Sequence, residues 1–224
     1  MTGSGRAIGL FGGTFDPVHN GHLRVALDAL EGLGLAEVRL LPARRNPLRD
    51  APGATAEQRR DLLAAAAAGE PGLRVDAREL DRPGPSYTFD TLASLREEHG
   101  PDRALAWLVG GDAFRGLPGW HRWREFVDLA HLVVLQRPGY VDELAPDLAE
   151  FVAARRTDDV DALHARPAGR VFTWRVTQLE ISSTDIRERV AAGRSIRYLV
   201  PDRVDEAIRR LGLYRATEAE PATT

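Results

Sequence analysis

The feature that most constrains this chain is an alternation of short apolar runs with amphipathic stretches of helix length. "AIGLF" (Ala7–Phe11), bounded by glycines, reads as a buried strand. From His22 to about Leu33 a helix places Leu23, Ala26, Leu27 and Leu30 on one face. "EVRLLP" (Glu37–Pro42) is the next strand and completes a β-α-β unit. Thr55 and Gln58 match a capping box that opens a helix to about Ala68. A weaker strand lies around Val75, and the next helix ends at His99 with Gly100 as its C-cap. Strands follow in Ala104–Gly110, in "AHLVVLQRPG" and in Arg170–Val176. A helix then lies within "ISSTDIRERVAAG", and Pro201 stands near the first turn of a terminal one. Strands spaced by helices predict an α/β fold, a Rossmann-like mainly parallel sheet with helices on both faces. No repeat or composition break marks a linker, so residues 1–215 read as a single domain and 216–224 as a disordered tail.

Composition removes several chemistries. All 30 basic residues other than histidine are arginine, so a Walker-type phosphate loop and Schiff-base catalysis on a side-chain amine are excluded. Cysteine is absent, which removes disulfides, thiolate nucleophiles and Cys-ligated zinc, and fits a reducing cytoplasm. No run approaches the ~18 apolar residues of a membrane span, and "MTGSGRAIGLFGG" lacks a signal-peptide pattern. A net charge of −3 argues against a nucleic-acid polymer as partner but leaves room for a small anion in one basic pocket.

The stretch "GLFGGTFDPVHNGHL" (Gly9–Leu23) suggests such a pocket. Two glycines at the carboxyl end of a strand let a backbone turn sharply and approach a bulky anion, ahead of a helix N-terminus that favours negative charge. A strand, two glycines and a helix also occur in many folds that bind no phosphate. His19 and His22, three apart at a helix start, can reach one ligand together. They lack the spacing of the usual helical zinc pair, so their joint role beside this turn is hydrogen bonding to phosphoryl oxygens. A second stretch, "ISSTDIRER" (Ile181–Arg189), starts with a capping box from Ser182 to Asp185. A cap does not need Ser182, Ser183 and Thr184 in a row followed by Arg187, and together these make a second anion pocket. Two such pockets favour a polyphosphate.

"GGTFDPVHNGHL" and "ISSTDIRERV" resemble the nucleotidyltransferase superfamily with the H-x-G-H signature. With "PSYTFDTL" (Pro85–Leu92), "GGDAFRGLPGWHRW" (Gly110–Trp123) and "VVLQRPG" (Val133–Gly139), the chain is similar to the nicotinate-nucleotide adenylyltransferases from about Ile8 to Tyr214. The resemblance implies transfer of AMP from ATP to nicotinate mononucleotide, giving deamido-NAD and pyrophosphate, with Mg²⁺ accompanying ATP. His19 and His22 would contact the phosphates, with Gly12, Gly13, Thr14 and Phe15 lining the cradle. Ser182, Ser183, Thr184, Arg187 and Arg49 would bind ATP as well. On the acceptor side the resemblance points to Ser86, Tyr87, Thr88, Asp112, Trp120 and His121. Trp120 would stack on the pyridine ring, and the backbone N–H groups of Thr88 and His121 would meet the ring carboxylate. Two donors suit a carboxylate better than a carboxamide. Trp107, inside an apolar run, reads as core.

In the loop after the second strand the family usually reads Pro-Pro-His-Arg or Pro-Pro-His-Lys, whereas this chain has Asn46–Arg49 as "NPLR". Leu48 cannot replace a histidine's hydrogen bonds; Arg44 and Arg45 either compensate or form a solvated basic patch. Rival readings are a preference for nicotinamide mononucleotide, a phosphopantetheine acceptor, and a catalytically silent nucleotide sensor of the same fold.

Overall fold

Among the described residues seven strands lie side by side in one sheet, and every pairing is parallel. They are β1 (Ile8–Gly13), β2 (Glu37–Pro42), β3 (Leu73–Val75), β4 (Leu105–Gly110), β5 (His131–Gln136), β6 (Arg156–Thr157) and β7 (Val171–Arg175), in the order β3-β2-β1-β4-β5-β7-β6. The helices are α1 (Asn20–Gly32), α2 (Ala56–Ala67), α3 (Arg78–Asp81), α4 (Thr88–His99), α5 (Gly111–Arg115), α6 (Phe126–Leu129), α7 (Pro146–Ala153), α8 (Ala162–Ala165), α9 (Ser183–Ala191) and α10 (Asp202–Leu211). The computed structural model describes residues 5–45, 52–136, 144–177 and 179–216. The expectations for Asn46–Arg49, for Gly139 and for the tail from residue 217 lie outside these.

The sheet buries both faces, so its central strands are apolar at successive positions rather than alternately. In β5, Val133 and Leu135 join Ala26, Leu62, Leu63, Ile186 and Ile208 from α1, α2, α9 and α10. Leu132 and Val134 face the other way, among Leu92, Leu95, Phe114, Phe126 and Phe151 from α4, α5, α6 and α7. Trp107 belongs to this second core and is 4% exposed, as its apolar neighbours predict. Among the described residues no helix is long and apolar enough to cross a membrane.

Several ends follow from local chemistry. Thr55 and Gln58 make the reciprocal capping box of α2, and Gly100 closes α4 with φ +77°. At α9 the box is half made: Ser182 Oγ accepts from Asp185 N at 3.1 Å, but the Asp185 carboxylate turns to Arg189 Nε at 2.8 Å. An aspartate is one methylene shorter than the glutamate of a full box, and a cation one turn on is the better partner.

The two glycines after Phe11 also differ from expectation. Gly12 and Gly13 continue β1, paired with Leu41 and Pro42, and neither has a positive φ. They are small because neighbouring rings fill the side-chain space: a Cβ on Gly12 would stand 2.6 Å from the Trp107 indole, and one on Gly13 3.0 Å from the Phe15 ring. The left-handed step comes two residues later, at Phe15 (φ +50°).

The strand order places β2 on one side of β1 and β4 on the other. The loops leaving β1 and β4 therefore part at their carboxyl ends, which is where open α/β sheets bind ligands.

Candidate active site

His19 occupies the N-cap of α1. Its Nδ1 accepts from His22 N at 3.3 Å, and the two rings stack with centroids 3.6 Å apart. Gly21 gives the His19 ring its space, since a Cβ there would lie 3.0 Å from Nδ1. Phe15 closes the other side, its ring 5.0 Å from that of His22. His19 is 6% exposed, and burial lowers it to about 4, so it is neutral near pH 7. A neutral ring whose Nδ1 accepts must carry its proton on Nε2, a donor suited to an oxyanion. Asn20 anchors the same helix end, its N and Nδ2 donating to Leu199 O at 2.9 Å and Tyr198 O at 2.8 Å.

The second motif packs directly on this loop. Ser183 Oγ donates to Pro17 O at 2.9 Å, a contact spanning 166 residues of sequence. Arg187 Nη1 donates to Asp16 O at 2.7 Å, and Nη2 reaches Thr184 Oγ1 at 3.4 Å. The stretches around His19 and Ser182 thus form one surface. The Ser183 proton is committed to Pro17, whereas Ser182 caps α9 with a lone pair of Oγ and keeps its own O–H to donate. The Ser182 hydroxyl and the backbone N–H groups of the first turn are then the donors for an anion there.

Two buried polar residues brace this surface, and the sequence reading assigned neither. Asp16 is 4% exposed. Arg59, 1% exposed, donates through Nη1 to Thr14 O at 2.7 Å and through Nη2 to Arg44 O at 3.2 Å, tying the loop after β1 to the loop after β2. A signal for Arg59 was present: it lies three and four residues before Leu62 and Leu63, on the apolar stripe of α2.

On the β4 side, Trp120 ends a turn of 3₁₀ helix at Leu117–Gly119, half-buried with its ring 6.3 Å from that of Phe126. His121 is exposed beside Tyr87, ring centroids 4.8 Å apart. Thr88 is the first residue of α4, so its N–H lies in a first turn without intrahelical acceptors. Asp112 is exposed and pairs with Arg115. Ser86 is a brace: Oγ accepts from Arg44 N at 3.0 Å and bonds Glu79, and its own N donates to Arg45 O at 3.0 Å. Both loop arginines, Arg44 and Arg45, are exposed, as the solvated reading expects, and Arg44 also donates through Nη1 to Leu80 O at 2.6 Å.

A model of the cytidylyltransferase-like family matches residues 10–189. A protein of Methylococcus capsulatus named "Probable nicotinate-nucleotide adenylyltransferase" is 51% identical over 208 residues, covering 92% of this chain and 99% of its own length. The chain belongs to this family. A Pseudomonas putida member of the same name is also 51% identical, over 94% of this chain and 96% of its own. Among solved structures, Plasmodium falciparum nicotinic acid mononucleotide adenylyltransferase complexed with NaAD shares the fold, with a TM-score of 0.69 at 15% identity over 94% of this chain and 98% of that one.

Proposed function

We propose that the chain performs its family's reaction, transfer of AMP from ATP to nicotinate mononucleotide, at the diverging ends of β1 and β4. The observation that carries this reading is the stacked His19–His22 pair set against the N-terminus of α9. There the triphosphate meets imidazole N–H donors, helix N–H donors and Arg187. Mg²⁺ travels on the triphosphate as part of that substrate, because the protein groups around the pair are N–H and O–H donors suited to phosphoryl oxygens. Nicotinate mononucleotide lies across the crevice, its ring on Trp120 and its carboxylate toward the N–H groups of Thr88 and His121. An oxygen of its phosphate attacks the α-phosphorus in line. A new P–O bond forms as the bond to the β-phosphate breaks, and pyrophosphate leaves with that electron pair. No enzyme group is consumed, so positioning and charge stabilisation supply the rate. An ATP-consuming step on a chain without cysteine suits the cytoplasm.

Trp120→Ala tests the placement. The Michaelis constant for nicotinate mononucleotide rises by about tenfold or more, as expected for losing one stacked aromatic contact, while that for ATP stays near wild type. An equal rise for both substrates contradicts ring stacking at Trp120.

A further inference from the structure

The Asp16 carboxylate gathers donors from segments far apart in sequence. Oδ2 accepts from Gly53 N at 2.8 Å, and Oδ1 accepts from Ala54 N at 3.2 Å and from the Tyr214 hydroxyl at 2.8 Å. Arg187 Nη1 stands 3.8 Å from Oδ2 while donating to the Asp16 carbonyl. Tyr214 lies in the turn after α10, 198 residues from Asp16. Its φ of +62°, like the +50° of Phe15 beside Asp16, is a conformation that bulky residues hold only when their surroundings enforce it. Gly53 packs flat against the Tyr214 ring, where a Cβ would stand 3.3 Å away. Burial first, and the Asp16 charge second, raise the Tyr214 phenol above its ordinary value, so it remains a donor at any working pH.

We propose that Tyr214 is a positioning residue for the ATP side of the site: its hydroxyl saturates Asp16, which leaves Arg187 directed at the Asp16 carbonyl and the start of α9. The inference rests on the assignment of His19, His22 and the α9 N-terminus to the ATP phosphates. Without the hydroxyl, Asp16 keeps a buried lone pair unmet, and Arg187 is the nearest cation able to move in. Closing that short gap withdraws the guanidinium from the phosphates and shifts the segment that carries His19. The pyridine subsite at Trp120 sits at the end of a different strand and is untouched.

The test is a cycle of Tyr214→Phe, Asp16→Asn and the double variant, read by steady-state kinetics for each substrate and by calorimetric titration with ATP. Tyr214→Phe keeps the ring against Gly53. It raises the Michaelis constant and the dissociation constant for ATP about tenfold, a change typical of displacing a charged contact, and leaves the Michaelis constant for nicotinate mononucleotide unchanged. Adding Tyr214→Phe to Asp16→Asn has little further effect, because the hydroxyl acts through the carboxylate. Wild-type ATP affinity in Tyr214→Phe, equal losses for both substrates, or additive effects overturn the proposal. If Tyr214→Phe does not fold, the comparison of Asp16→Asn with the double variant decides: equal ATP affinity in the two supports the proposal, and a further loss in the double variant overturns it. If the wild-type chain binds ATP but releases no pyrophosphate, the reaction assignment fails while the titrations still judge Tyr214.

Discussion

At the scale of single residues, the proposed chemistry rests on how two histidines are held. His19 accepts a backbone N–H at Nδ1 and stacks on His22, so the two rings hold one another in place. Donors fixed before the reaction cost no reorganisation as charge builds on the phosphoryl oxygens. His22→Ala therefore lowers turnover by a factor on the order of 10² or more with an unchanged circular dichroism spectrum. Turnover at the wild-type rate in that variant contradicts the histidine assignment. These residues were legible because their spacing places them on one helix face. Asp16 was not legible, because its partners Gly53, Ala54 and Tyr214 become neighbours only in the folded chain.

At the scale of elements, the readable pieces were those with a period long enough to see or a cap to mark them. β2 runs over Glu37–Pro42 as its apolar run predicts, and α2 and α4 end within a residue or so of their capping signals. The helices of four or five residues, α3, α5, α6 and α8, complete barely one turn and leave no periodicity to read. The connections between elements hold a further histidine, His131, which opens β5 and is fully buried. Its Nδ1 accepts from Arg170 N at 3.1 Å, so its Nε2–H donates to Arg166 O at 2.9 Å. Burial is the main cause that lowers it to about 4. Unfolded, the ring takes up a proton near 6.5; folded, only near 4, so the stability it lends is complete above 6.5 and drains as pH falls toward 4. Between pH 6.5 and 4.5 that loss is about 2 to 3 kcal/mol. Glu79, raised by burial, works in the opposite sense over part of this range, so the measurement is a difference. The gap in urea midpoint between wild type and His131→Asn narrows as pH falls from 6.5 to 4.5. A constant gap contradicts the assignment of a neutral, structural histidine.

At the scale of the molecule, one topological fact organises the site. The order β3-β2-β1-β4-β5-β7-β6 makes the chain reverse direction across the sheet at β1, opening a crevice between the loops of β1 and β4. The two motifs proposed to hold the phosphates, separated by most of the sequence, close on one another through Ser183–Pro17 and Arg187–Asp16 on the β1 side. The Trp120 turn and the start of α4 face them from the β4 side. In the proposed reading this division gives each substrate its own set of loops, with Arg59 and Arg44 bracing the ground between. The most direct test is pyrophosphate release with ATP and Mg²⁺, comparing nicotinate mononucleotide, nicotinamide mononucleotide and phosphopantetheine as acceptors. The proposed pair of backbone donors for the ring carboxylate predicts release that strongly favours nicotinate mononucleotide. Equal or greater release with the amide, or none with any acceptor from a chain that binds ATP, contradicts it.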